Sequence, residues 1–123
     1  MSLKPVFSDL VIPLVTGRVA GTYASGPISQ PGEANWLQFY IIVTAVSGST
    51  QTIDAVLQTS DDNTSYSSLT TTASAITQIS SPTPPVQAFG YGYIANHEYG
   101  QVLVTIAGTG TPTATLAVYA FVI

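Results

Sequence analysis

The stretch from Asn35 to Tyr66, NWLQFYIIVTAVSGSTQTIDAVLQTSDDNTSY, decides the fold. Leu37, Phe39, Ile41, Val43 and Ala45 recur at period two, the spacing of a strand with one face on a core. Ser47-Gly48-Ser49 reads as a tight turn. Ile53, Ala55 and Leu57 then repeat the alternation on the way back. The expectation is a long hairpin, followed by a polar loop from Ser60 to Ser65 and an aromatic, Tyr66, opening the next strand.

The flanks obey the same rule. Asp9 to Thr16 is β-rich, but Pro13 removes a ladder donor, so it suits an edge strand, a bulge or an extended arm. Arg18 to Ala24 is a short strand, and Ser25 to Ala34, with Pro27 and Pro31-Gly32, is a ten-residue loop. Tyr66 to Thr72 and the weaker Ala73 to Ile79 are further strands, before the stiff segment Ser80 to Pro85. In Val86 to Ala95 the rings of Phe89, Tyr91 and Tyr93 share one face over Gly90 and Gly92, a pattern that admits close approach by a neighbouring strand. Tyr99 to Ile106 is a strand with Val102, Val104 and Ile106 inward, Gly108-Thr109-Gly110 is a turn, and Thr113 to Ile123 is apolar on both faces.

No window carries a capped 3.6-residue period. The fold class is therefore all-β: an antiparallel sandwich or small barrel, jelly-roll or immunoglobulin-like, of about eight strands. At 123 residues the chain makes one domain, 9–123, behind a short arm at 1–8.

Charge is scarce. Lys, Arg, Asp and Glu make up 7% of the chain, against about 25% in an ordinary soluble domain. In their place stand 13 Ser and 17 Thr. Such a surface repels itself weakly and suits a chain packed against neighbours. With Lys4 and Arg18 the only fixed cations and a net charge of −4, neither nucleic acid nor an anionic membrane is an expected partner. The N-terminal residues lack the apolar run of a signal peptide, which points to synthesis in the cytoplasm without export.

The catalytic inventory is thin. His97 lies in a turn with Asn96 and Glu98, no Gly-x-Ser-x-Gly elbow is present, and Asp54 points to solvent. Asp61, Asp62 and Asn63 lack the alternating oxygen donors of a calcium loop and read as turn formers. We expect no enzyme, no metal and no cofactor. Trp36, Tyr91, Tyr93 and Tyr99 are the candidate stacking platform should a sugar be bound. Tyr91, Tyr93, Tyr119, Phe121 and Ile123 are the candidate subunit interface, because a strip apolar on both faces is usually buried in a closed oligomer.

Val56 to Tyr66, VLQTSDDNTSY, resembles a phrase of small β-sandwich virion proteins of tailed phages. There a strand ends in Gln-Thr-Ser, an Asp-Gly turn follows, and an aromatic opens the next strand. Asn63 stands in place of the usual glycine and Tyr66 in place of tryptophan or phenylalanine. The phrase is also similar to the Ser-x-Asp-x-Gly-x-x-Trp box of sialidase-type propellers and some carbohydrate-binding modules. The resemblance implies a capsid decoration (cement) protein on the virion surface. Such a protein binds the major capsid protein or other virion proteins, forms a homotrimer before a dimer, and stiffens the head. The alternative is a carbohydrate- or receptor-binding module of a virion tail or surface protein.

Overall fold

The two apolar runs on either side of Gly48 do not pair with each other. The computed structural model describes residues 7–29, 36–94 and 97–122. Within them, Trp36–Ser60 forms one 25-residue strand, β4, and Tyr99–Val122 a 24-residue strand, β8. The two run antiparallel along their whole length, from Leu37 opposite Val122 to Ser60 opposite Tyr99. Around them lie β1 (Phe7–Val19), β2 (Gly21–Ala24) and β3 (Ile28–Ser29) on β8, and β5 (Ser67–Ser68), β6 (Ile79–Ser80) and β7 (Val86–Tyr93) on β4. All pairings are antiparallel and form a single sheet. Among the described residues there is no α-helix, only a 3₁₀ turn at Thr72–Ser74.

The expected hairpin is thus a bend. At Gly48 and Thr50 the backbone turns left-handed, with φ of 91° and 49°, and β8 turns beside it at Gly108, Gly110 and Thr111. The ladder slips between Val43 and Ala45, between Ser47 and Ser49 and between Ser49 and Thr52. Extra residues on one strand of a pair sharpen its bend. Gly48 is required there: a Cβ would lie 2.8 Å from Pro112 Cα and 2.9 Å from the Gly110 carbonyl oxygen. Hydroxyl pairs span the corner, Ser47 with Thr113 and Thr50 with Thr109. Gln51 Nε2 donates to the Gly48 carbonyl at 2.7 Å. Likewise Gly108-Thr109-Gly110 does not separate two strands; it is the bend of one.

The corner divides the sheet into two arms. One holds β1, β7, residues 36–46 of β4 and 113–122 of β8. The other holds β2, β3, β5, β6, residues 51–60 and residues 99–107. Each turns its apolar parity inward: Leu37, Phe39, Ile41, Val43, Leu116, Val118 and Ala120 from the first, Ile53, Ala55, Leu57, Val102, Val104 and Ile106 from the second. These belong to one core cluster, closed by Ile12, Ile28, Ile76, Ile79 and Ile94. The arms touch across it. A Cβ on Gly100 would meet Leu37 Cδ2 at 3.1 Å, and one on Gly92 would meet Leu57 Cδ1 at 3.1 Å.

Other expectations shift in detail. β1 pairs with β8 from Phe7 and Ser8, so two residues of the expected arm are strand, while the first six lie outside the described residues. β1 runs through Pro13 and Gly17 with three slips in register. The strands expected over 66–72 and 73–79 shrink to two-residue bridges, β5 and β6. Between them Ser74 Oγ donates to the Thr71 carbonyl at 2.6 Å and lies 3.2 Å from the Leu69 carbonyl. Such local bonds hold a turn in place of a ladder.

Candidate functional site

The outer face of the first arm is aromatic, and register puts it together. Because residues opposite one another in an antiparallel pair share a face, Trp36 stands beside Tyr93, Gln38 beside Tyr91, and Tyr40 beside Phe89. On the other side of β4, Tyr40 stands beside Tyr119 and Gln38 beside Phe121. Leu10 of β1 follows Tyr119. One row thus crosses four strands, Leu10–Tyr119–Tyr40–Phe89, with a second row, Phe121–Gln38–Tyr91, and Trp36–Tyr93 at the end.

The rings lie in contact. Tyr40 stacks on Tyr119 at 5.0 Å between centroids and on Phe121 at 5.9 Å. Trp36 meets Tyr93 edge-on at 5.3 Å and Tyr91 at 6.1 Å. Stacked or edge-to-face pairs at such distances each contribute about 0.5–1.5 kcal/mol beyond their burial. Phe89 is 67% exposed, Tyr91 50%, Tyr93 49% and Trp36 44%. With about 150–250 Å² per aromatic side chain, these four alone leave roughly 400 Å² of aromatic surface open. The largest apolar patch on a typical monomer is of about this size and often functional.

Of the expected interface, the structure places Tyr91, Tyr93, Tyr119 and Phe121 on this one face, the last two half-buried under Tyr40. Ile123 lies outside the described residues. Of the expected platform, Trp36, Tyr91 and Tyr93 cluster, but Tyr99 does not join them. It sits on the second arm, opposite Ser60 and Ser29. The central ring, Tyr40, was not among the expected residues. Its signal lay in the even-numbered positions Trp36, Gln38, Tyr40 and Ile42, hidden behind the apolar odd-numbered face. Gly90 and Gly92 face inward as expected of a close approach: a Cβ on Gly90 would lie 2.7 Å from the Phe39 ring and 2.9 Å from the Ala73 carbonyl oxygen.

The loop after β4 is built from its own side chains. Ser60 Oγ accepts from the amides of Asp62 and Asn63 at 3.2 and 3.0 Å, and donates to Asp62 Oδ1 at 2.9 Å. The same oxygen accepts the amides of Thr64 and Ser65 at 2.9 and 2.8 Å. Those two amides, then the Ser60 hydroxyl, hold the Asp62 carboxyl below its ordinary range. Asn63 takes the left-handed conformation, φ 59°, that the missing glycine would have supplied. It also accepts the Tyr66 hydroxyl at 2.7 Å. Burial, then the nearby Tyr99 and Asp62, pushes the Tyr66 phenol up.

His97 Nδ1 lies 3.2 Å from Asp61 Oδ1 on the exposed side of this loop. Among the described residues no serine hydroxyl bonds to it, and no three His, Cys, Asp or Glu side chains gather as a metal site. Asp54 accepts from Gln78 at 2.9 Å. The chain matches no known family, no curated protein and no solved structure. The aromatic face is therefore the candidate site.

Proposed function

We propose that the chain is a non-enzymatic structural protein of a tailed-phage virion, a decoration protein that adheres to the capsid shell. Its arms close as a β-sandwich, since Leu37 of one reaches Gly100 of the other. The observation that carries the reading is the open aromatic strip on an outer sheet face, in a chain with eight Lys, Arg, Asp and Glu side chains in all. Adhesion by such a face is driven by area removed from water and is insensitive to salt. The VLQTSDDNTSY segment adds the resemblance to virion proteins, with the major capsid protein as the partner it implies. Quantitative mass spectrometry of virions of the encoding phage tests this. A copy number matching the shell subunits is expected, and absence from the particle overturns it.

A second reading rests on the Trp36, Tyr91 and Tyr93 cluster alone. Ring faces pack against the apolar faces of sugars, so the trio is the platform for a carbohydrate- or receptor-binding module. Saturable binding on a glycan array, lost in Tyr91→Ala, would favour it over the shell.

A further inference from the structure

We propose that β7 is a docking edge for a second copy of this chain, pairing antiparallel with the partner's β7 about a two-fold axis. β7 pairs with β4 over Val86 to Tyr93 without a slip in register. Among the described residues its other side pairs with no strand, and no further backbone hydrogen bond reaches it. A straight open edge is a template for another strand, and natural edges are guarded by proline, bulges or charge. β1 carries such guards: Pro13, three slips in register, and Arg18, which donates to the Pro13 carbonyl at 2.7 Å. β7 has none of them. Its eight residues, VQAFGYGY, hold no charge and no proline.

The occupant is a second copy because the edge is self-complementary. Antiparallel pairing centred on Tyr91 sets Tyr91 against Tyr91 of the partner subunit, and Phe89 against Tyr93 of the partner subunit. With the symmetric Tyr93–Phe89 pair, all six rings, three from each copy, fall on one face. No like charges meet, and aromatic cross-strand pairs are among the favourable ones. The contact is made by the eight-residue backbone edge and by the flanks of Phe89, Tyr91 and Tyr93, while the ring faces, with Trp36 on β4, stay on the outer surface. Pairing of β7 with a β1 of another copy would be heterologous and would meet the irregular edge. The two-fold pair fuses two aromatic strips into one. It differs from the trimer implied by the resemblance and does not depend on the virion reading.

The chain has no cysteine, so single cysteines report the register. Across the two-fold, position 91 meets itself at about 4.5–5.5 Å between Cα atoms, within the span of a disulfide. Position 89 lies four residues from its own copy, about 13 Å along the strand, beyond that span. On mild oxidation Tyr91→Cys is expected to form a disulfide dimer. Phe89→Cys and Tyr93→Cys are expected to cross-link when mixed, at least about tenfold faster than either alone. Tyr91→Lys should weaken the dimer at least about tenfold in light scattering, by setting like charges opposite each other. Leu14→Lys on β1 should leave it unchanged. A wild-type monomer at high micromolar concentration, or Phe89→Cys cross-linking to itself as fast as Tyr91→Cys, would overturn the pairing. Virions lacking the chain would overturn the shell reading and leave this one standing.

Discussion

The two arms are alike inside and unlike outside. Inside, both present apolar side chains at period two to one shared core. Outside, the first arm carries aromatic rings, and the second carries amides and hydroxyls around one aliphatic pair, Val56 and Leu103. There Gln101 Nε2 donates to Gln58 Oε1 at 2.7 Å, Gln58 Nε2 donates to Ser68 at 3.2 Å, and Gln78 binds Asp54. The inner faces answer to burial, which any aliphatic of fitting size satisfies. The outer faces are free of that demand, and there the two arms differ in chemistry.

The shared core predicts the largest effect. Phe39→Ala in one arm and Leu57→Ala in the other should each lower stability, by about 3–5 and 2–5 kcal/mol. Each should also keep a single unfolding transition in urea. Two separable transitions would mean that the arms are independent units. Next comes the corner that joins them. Gly48→Ala forces a Cβ against Pro112 at a φ of 91°, and should cost about 1–3 kcal/mol with the same cooperative melt. An unchanged melting temperature would show that the bend tolerates ordinary residues.

The apolar parity of these strands was legible because burial imposes a period of two on any sequence that serves it. Leu37, Phe39, Ile41 and Val43, and Val102, Val104 and Ile106, are inward as expected, whereas in the strand apolar on both faces it took the structure to assign Leu116, Val118 and Ala120 to the core. The partner of each strand was not legible. Ser47-Gly48-Ser49 looks locally like a hairpin turn, and what makes it a bend is that both of its flanks pair with β8, far along the chain. The aromatic face was half legible. Phe89, Tyr91 and Tyr93 announce themselves by alternation over glycine. Tyr40 sits on the outward parity of a strand that reads as core. Tyr99 has the right chemistry and the wrong arm, a distinction that only register draws.

The outer faces predict smaller effects of opposite kind. Gln58→Ala on the polar arm removes two side-chain bonds and should cost about 1 kcal/mol without altering association. Phe89→Ser on the aromatic arm should change stability by no more than about 0.5 kcal/mol and reduce self-association in light scattering. The reverse pattern would exchange the roles of the two faces. The smallest effect belongs to the loop closing the second arm. The folded Asp62 carboxyl lies below its ordinary range, so its stabilisation is present above pH ~4. It is lost as pH falls through the folded value. Asp62→Asn should therefore lower the melting temperature at neutral pH, by an amount that shrinks on acidification. A difference that grew in acid would reverse the sign.

The continuous β4–β8 ladder also orders the events of folding. Its two ends lie at very different distances along the chain: Tyr99 follows Ser60 by 39 positions, 99 − 60, whereas Val122 follows Leu37 by 85, 122 − 37. Closing the shorter loop costs less entropy. The second arm is then the place where the ladder starts, and the corner is the gate through which it zips into the first. With so many distant pairings, folding is expected on the millisecond-to-second scale, on the order of that of other all-β domains. Substitutions at Leu57 and Val102 should slow folding, while those at Leu37 and Ala120 should chiefly speed unfolding. The β4–β7 side of the aromatic strip closes over a loop nearly as short, Val43 opposite Val86, so it is the Tyr119 and Phe121 side, brought in by the far end of the β4–β8 ladder, that completes the strip last.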